Sequence, residues 1–558
     1  MFRRFTLPHT LICLLFLLTA LPSAQADYYA SWQNQALQKQ NKLDINLPLG
    51  QASFLYTHNS FNSSAYANLG SYWDPNHVLP LVGQLDMGVR AIELDIHWTA
   101  TDSGNKQIQL CHGTDTHTGC SIFDRRFADG IKEVNSWLRQ SQNRQEVLMI
   151  YLEDHLDGHY DEAINIMQQY FAELVYKPAG CQGIPQNISK ADVLAAGKQV
   201  LLIGGNCATS NWSNYVFNGV WSTKNGSFSG YPTCTVDGMS AEQVKNKLVR
   251  IYEDSTNLTE WFGDHNQSIT PQVMADAVKC GLGIVGAEPL TEYDSRMAAA
   301  IWSWAEGEPN NYNGNENCAV LNADGRFNDV NCENTYAFAC FDKNTADWRI
   351  SQQKSAWING EPICQAEFGS AYHFEVPRRA PQNLDLIARR AQSGRAAESV
   401  YLNYDDQEQE ANWLPNDYPA LNPQANPVVW RKLLNDKGKC LDLEGRKTNN
   451  GNEIHQWSCH GADSQLWWQD NQGRIHNKMA PQKCVDASGA GTSEGTRIVL
   501  WDCHDGANQK WLRGALNSFR ISNAPGMALD IKDPFWGDGQ PAHLWTFHGG
   551  KSQRWAWD

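Results

Sequence analysis

Between positions 50 and 290 the apolar residues fall into short runs separated by amphipathic stretches. The runs Ala52–Thr57, Ala91–His97, Ile108–Cys111, Val147–Glu153, Val200–Gly204, Val249–Glu253 and Gly283–Ala287 read as strands, bounded by polar and turn-forming residues. Between several of them lie amphipathic stretches such as Phe127–Leu138 and Tyr160–Leu174, which predict helices. Alternating strands and helices predict an α/β, TIM-like (β/α) barrel over residues 27–300, with its functional side chains at the C-terminal ends of the strands. Seven strands are plain rather than eight.

From about Ile301 this rhythm is lost. Trp, Asn, Gly and paired Cys dominate residues 301–404, as in a small disulfide-rich module. Residues 405–427 are rich in Asp, Gln, Asn and Pro and predict a linker. Residues 428–558 contain a repeat of about 44 residues. Its first copy holds Cys440-Leu-Asp442, Gln456-Trp457-Ser-Cys459 and Gln465-Leu-Trp467. The second holds Cys484-Val-Asp486, Leu500-Trp501-Asp-Cys503 and Gln509-Lys-Trp511. The third holds Ala528-Leu-Asp530, Leu544-Trp545 and Gln553-Arg-Trp555, with Met527 and Phe547 where the others have cysteines. One such copy cannot close a core, whereas three around a pseudo-threefold axis can.

Residues 1–26 have Arg3-Arg4, an apolar stretch from Leu11 to Ala20, and Ala24-Gln25-Ala26, the pattern of a secretory signal peptide cleaved near Ala26. No other stretch is long and apolar enough to be a transmembrane segment. Export agrees with 15 cysteines, of which Cys13 would leave with the signal and an even number remain for disulfides. The formal charge of −16 argues against nucleic acid as a partner and against strongly anionic membranes. The 22 tryptophans suit either core packing or stacking on sugar rings.

The chemistry gathers at predicted strand ends: His58-Asn59 after the first run, Glu93 and Asp95 in the second, His112 after the third, Glu153 at the end of the fourth. Glu93 and Asp95 are two apart on a strand and point the same way. Asn59, Glu93, Asp95 and Glu153 offer hard oxygens that suit calcium or magnesium, a charge that can stabilise a phosphodiester undergoing attack. His58 and His112 can then serve as general base and general acid. Tyr72-Trp73 suits either core packing or contact with lipid.

Thr57-His-Asn-Ser-Phe61, Gly88-Val-Arg-Ala-Ile-Glu-Leu-Asp95, Cys111-His-Gly113 and Val147-Leu-Met-Ile-Tyr-Leu-Glu153 resemble the catalytic X domain of phosphatidylinositol-specific phospholipase C. Asp95 stands where metal-independent members have arginine, so the resemblance implies a Ca2+-dependent enzyme. It further implies that His58 deprotonates the inositol 2-hydroxyl, that His112 protonates the departing diacylglycerol oxygen, and that a phospholipid at a membrane surface is the substrate. The later strands provide no match for basic residues that would read the headgroup. Two alternatives stay open. The related glycerophosphodiesterase and sphingomyelinase D enzymes usually follow their first histidine with arginine, and here Asn59 follows. The other is a glycan-binding adhesin with an inactive barrel.

Glu308-Pro-Asn310, Glu316, Phe327-Asn-Asp329 and Ala337-Phe-Ala-Cys340 resemble the C-terminal half of a C-type lectin domain, an α+β fold. Residues 357–404 resemble its N-terminal half, placed afterwards. The resemblance implies a second calcium site at Glu308, Asn310, Glu316, Asn328 and Asp329, with Cys318 bridged to Cys332 and Cys340 to Cys364. A disulfide cap on the barrel with no sugar site is the alternative.

The three C-terminal copies resemble a ricin B-type β-trefoil lectin, all-β, and imply glycans as partners. The implied sugar-contact residues are Asp442, His455, Trp457 and Gln465 in the first copy; Asp486, Trp501, Asn508 and Gln509 in the second; Asp530, His543, Trp545 and Gln553 in the third. No copy is complete, since Ser464, Val499 and Ser552 replace expected polar residues. The equal separations Cys440–Cys459 and Cys484–Cys503 support a bridge inside each of those copies. The remaining cysteines pair as Cys111–Cys120, on its short spacing, Cys181–Cys207 and Cys234–Cys280.

Overall fold

The computed structural model describes residues 28, 31–68, 70–219, 227–256, 268–407, 411–415, 430–470, 473–514, 518–532 and 537–557. The expected leader at 1–26 lies outside the described residues. In the first domain, β1 (Phe54–Thr57), β2 (Val89–Ala100), β5 (Leu148–His155), β6 (Val200–Gly204), β7 (Phe217–Asn218), β8 (Arg250–Ile251) and β9 (Ile284–Gly286) pair in parallel in the order β7-β6-β5-β2-β1-β9-β8. Runs such as Leu148–Leu152 and Val200–Ile203 are apolar on both faces and fully covered, as parallel strands flanked by helices must be. The result is an open half-barrel: among the described residues β7 and β8 are edges and the ring is not closed.

One expected barrel strand has a different role. Ile108–Cys111 falls in β3 (Lys106–Leu110), which folds back antiparallel on the far half of β2, and β4 (Arg125–Arg126) pairs with it. The seventh parallel strand is instead β7, too short to leave an apolar run. The predicted helix Phe127–Leu138 is present and buries Phe127, Ile131, Val134, Trp137 and Leu138 at helical spacing. Gly130 belongs to the same face. A Cβ there would meet Leu110 Cδ1 at 2.6 Å, so glycine sets how closely this helix approaches β3.

In the middle region, β10 (Cys318–Leu321), β11 (Phe327–Val330), β12 (Ala337–Asp342), β13 (Asp347–Ile350) and β15 (Val400–Asp405) order as β11-β10-β15-β12-β13, with β14 (His373–Phe374) beside β12. The later segment is thus central: β15 inserts between β10 and β12, running parallel to β12. Arg390, on the helix Ala380–Gln392, is almost fully buried and donates to the carbonyls of Leu321, Asn322, Ala323 and Glu398. This module shares one apolar core with the half-barrel, in which Leu37 and Leu43 belong with Trp304, Phe327, Leu402 and Tyr404. The expected linker begins inside that core. Trp413 packs on Trp304 and Tyr404, and β16 (Leu414–Pro415) pairs with β15.

Residues from Leu433 to Trp557 form a 12-stranded all-β unit with its own core, where Trp467, Trp511 and Trp555 hold equivalent places. Each donates its indole N–H to a carbonyl 26 residues earlier, that of Leu441, Val485 or Leu529. Seven disulfides join the pairs expected from the sequence: Cys111–Cys120, Cys181–Cys207, Cys234–Cys280, Cys318–Cys332, Cys340–Cys364, Cys440–Cys459 and Cys484–Cys503.

Candidate active site

The strand register assembles the acidic group. β2 directs Glu93 and Asp95 to one side, and its parallel pairing with β5 sets Glu153 opposite Asp95. One carboxylate oxygen from each of Glu93, Asp95 and Glu153 lies within 4.8 Å of the other two. The Asn59 amide sits against Asp95. With its nitrogen turned inward it donates to both carboxylate oxygens, at 2.9 and 3.2 Å; turned the other way, its oxygen would face the same point. Asn59 holds this place with a left-handed backbone (φ 46°), which asparagine tolerates better than most residues.

Burial, then the charges of Glu153 and Glu93, drive the Asp95 carboxyl well above the usual range. Like charges packed this way call for a proton or a cation among them, and an all-oxygen donor set fits a hard divalent ion. Glu153, on the exposed edge, is held below its ordinary value by a 3.1 Å hydrogen bond from His155. Glu93 is tied from beneath: one oxygen accepts from the Tyr56 hydroxyl and from Arg250 Nη1 at 3.4 Å.

His58 follows β1 and lies between two acids, with Nδ1 3.4 Å from Glu288 and Nε2 3.9 Å from Glu93. Burial would lower its pKa, but the carboxylates of Glu93 and Glu288 outweigh that and raise it to about 9. Burial, only partly offset by His58, also raises Glu288. His77 Nε2 lies 2.7 Å from the His58 carbonyl, and burial lowers His77 to about 4, so the ring is a neutral prop. His112 stands after β3, within electrostatic reach of His58, Asp254 and Glu153; burial pulls its pKa down. His58, Asn59, Glu93, Asp95 and Glu153 therefore share one rim, with His112 within electrostatic reach of it.

Sequence reasoning missed Glu288, Asp254, Arg250, Tyr252 and His77. The strand-end rule applied to Val249–Glu253 and Gly283–Ala287 points to Asp254 and Glu288, each just beyond its run. The structure sets His58, Asp254 and Glu288 within 4.8 Å of one another. Arg250 donates to the Tyr56 hydroxyl at 2.6 Å and lies 4.3 Å over the Tyr252 ring, which packs against His58. No local pattern marks that cradle. Tyr72 and Trp73 have opposite fates: the Tyr72 hydroxyl donates to the Leu110 carbonyl inside the core, while Trp73 is 75% exposed.

In the middle module, Asp329 is buried and accepts from the backbone N–H of Asn310 (3.1 Å) and Asn311 (2.7 Å), and Asn310 Nδ2 donates to Glu308 (2.8 Å). Burial and the adjoining Asp329 carboxyl raise Glu308 to about 7. Glu316 accepts from Tyr312 N–H, and Asn328 donates to the Asp329 carbonyl. Glu308 and Asp329 are thus brought together, while Glu316 and Asn328 are turned to backbone partners.

In the trefoil, Asp442, Asp486 and Asp530 each accept from the motif glutamine of their own lobe: Gln465 (3.0 Å), Gln509 (2.7 Å) and Gln553 (3.1 Å). These glutamines are fully buried, so they orient the aspartate from beneath. Asn508 also donates to Asp486, at 2.9 Å. Trp457, Trp501 and Trp545 stand exposed beside the aspartates, and His455 and His543 stack on the first and third. His460, His504 and His548, unforeseen from sequence, face the three aspartates at 3.0, 3.4 and 3.6 Å.

A parallel half-barrel with this rim, joined to a β-trefoil, defines a multidomain protein of the PI-PLC-like and ricin-lectin classes. Residues 15–294 match the Rv2075c PI-PLC-like domain, and residues 429–555 match the ricin-type beta-trefoil lectin domain. The chain belongs to the Rv2075c PI-PLC-like family. Uncharacterized protein Rv2075c of Mycobacterium tuberculosis (strain ATCC 25618 / H37Rv) is 31% identical over 416 residues, covering 69% of this chain and 83% of that protein. That match is too long for the half-barrel alone and takes in part of the module sharing its core. Among solved structures, the designed threefold-symmetric protein ThreeFoil is 28% identical over 23% of this chain and 98% of its own, with TM-score 0.22. The C-half of an earthworm R-type lectin in complex with GalNAc is 24% identical over 24% of this chain and 100% of its own, with TM-score 0.21.

Proposed function

We propose that this chain is a secreted, calcium-dependent phosphodiesterase of the phospholipase C type. Its substrate is phosphatidylinositol or a related (glyco)phospholipid, cleaved at the glycerol–phosphate bond. The observation that carries this reading is the convergence of Glu93, Asp95 and Glu153 within 4.8 Å beside the imidazole of His58. Asn59, Glu93, Asp95 and Glu153 would hold the calcium ion, which when bound supplies positive charge against the charge growing on the phosphoryl oxygens.

The side chains divide the proton transfers. Nδ1 of His58 faces Glu288, which orients the ring; with the Glu93 charge that favours the imidazolium offset by bound calcium, Nε2 would be free to take the proton of the attacking inositol hydroxyl. His77 anchors the His58 backbone. His112, across the rim, delivers a proton to the departing glycerol oxygen; a phosphate anion arriving beside this buried ring favours its protonated form. Arg250 and Tyr56 fix the Glu93 carboxylate and set the floor of the site.

The trefoil would keep the enzyme close to glycoconjugates through the exposed Trp457, Trp501 and Trp545, and several weak sites would act together. The middle module would be a C-type lectin-like unit with its halves reordered, holding a second calcium ion at the Glu308–Asp329 corner. Secretion is supported by the seven disulfides. Among the described residues no helix is long and apolar enough to cross a membrane. The test is diacylglycerol release from phosphatidylinositol vesicles, with and without chelator, by wild type, His58→Ala and His112→Ala. Each substitution is expected to cost about 10²–10⁴ in rate. Wild type releasing no diacylglycerol from any phospholipid refutes the proposal.

A further inference from the structure

The three trefoil lobes repeat one pocket, but three wall positions around it differ in charge. The residue two beyond the pocket aspartate is Glu444 in the first lobe, Ser488 in the second and Lys532 in the third. The residue that opens the short turn carrying the motif glutamine is Asp463, Ala507 and Lys551 in the same order. The third position is supplied by a neighbouring lobe through strand pairing: Pro541 opposite His455, Glu453 opposite Val499, and Arg497 opposite His543. At these three equivalent positions the first lobe therefore carries two acids and a proline, the second one acid and two small residues, and the third three cations.

The third pocket is also an open cleft of about 760 Å³, lined by Arg497, Asp530, Lys532, Trp545, His548 and Lys551 among others. Glu453 shares its wall and pairs with Arg497 at 3.2 Å, which offsets that charge. Lys532 and Lys551 have no ion-pair partner among the described residues. In the first lobe, by contrast, Asp463 is paired with Lys478 at 3.0 Å. Two lysines without an ion-pair partner among the described residues, lining a sugar-sized cleft that also holds an indole and a buried carboxylate, match a ligand that is part saccharide and part anion.

We propose that the third lobe selects an anionic glycan, one bearing a carboxylate or a sulfate, with Lys532 and Lys551 as the specificity-determining residues. This rests on the glycan-binding reading of the trefoil. Asp530 and Trp545 receive the hydroxyls and one face of the sugar ring, and the two lysines receive the charged substituent.

The test uses the full chain with Trp457→Ala and Trp501→Ala, which silence the other two lobes. An array of neutral and acidic glycans is followed by titration with lactose, 3′-sulfolactose and 3′-sialyllactose. The two acidic sugars are expected to bind about tenfold tighter than lactose, a preference that shrinks as salt is raised. Lys532→Gln with Lys551→Gln should bring the ratio of acidic-sugar to lactose affinity down to about one, and Trp545→Ala should abolish binding of all three. Tighter binding of only one acidic sugar identifies the anion recognised. Equal affinity for lactose and both acidic sugars, or a preference that survives the double lysine substitution, overturns the charge selectivity and leaves glycan binding standing. Failure to bind any glycan on the array overturns the binding reading of this lobe and the selectivity with it.

Discussion

The Glu288 carboxylate lies 3.4 Å from Nδ1 of His58, while Glu93 approaches Nε2 of the same ring. Together these acids favour the imidazolium and raise it from 6.5 to about 9. A folded-state value above the unfolded one gives stabilisation that is complete below about 6.5 and fades as pH rises through about 9. In chelated protein the His58 ring should titrate near the upper value by NMR, and Glu288→Gln should move it down. A ring titrating at its ordinary value, unmoved by Glu288→Gln, contradicts this arrangement.

Calcium should stabilise the folded chain, because three mutually repelling carboxylates converge where it would bind. At a hundredfold excess over Kd the gain is about 2.7 kcal/mol per site, seen as a rise in the thermal midpoint that chelator reverses. Asp95→Asn should remove the half-barrel share of that rise. Glu308→Gln should remove the share of the lectin-like corner. A midpoint indifferent to calcium in wild type speaks against both sites.

Trp73 is exposed beside Tyr72, which is locked into the core, so its indole is presented on a rigid support. Trp73→Ala should weaken binding to phosphatidylinositol vesicles by about 1–2 kcal/mol, from lost apolar burial. Cleavage of a soluble inositol phosphodiester should be unaffected. Sedimentation with vesicles and a soluble-substrate assay separate the two effects, and unchanged sedimentation removes Trp73 from the membrane contact.

Arg390 serves four carbonyls from a position of almost no exposure. Arg390→Met fills similar volume but strands those acceptors, and should destabilise the chain by about 2–4 kcal/mol in urea unfolding. Since the middle module shares its core with the half-barrel, both should unfold together. An independent early transition of the middle module contradicts the shared core.

Much of the site was legible because it obeys local rules. His58-Asn59, Glu93-x-Asp95, His112 and Glu153 each follow or end an apolar run, and strand geometry alone puts Glu93 and Asp95 on one side. The spacing of Cys440–Cys459 and Cys484–Cys503, and the thrice-repeated Asp and Gln-x-Trp, were likewise written in short stretches of chain. These features determined the multidomain plan, the two trefoil disulfides and the side chains that carry the candidate chemistry.

Tertiary structure decided what depends on which segments become neighbours. That β3 turns back on β2, that Phe217–Asn218 supplies a parallel strand, and that β15 enters the middle of an earlier sheet are results of pairing between distant segments. Glu288, Arg250 and Tyr252 join His58 and Glu93 only because β9 pairs with β1 and β8 with β9. Trp73 and Tyr72 are adjacent in sequence but opposite in exposure, a difference set by the surface each meets. Periodicity is a property of a segment and can be read from it; burial, charge pairing and closeness across a rim belong to the packed chain, where contacts between remote residues set their energy.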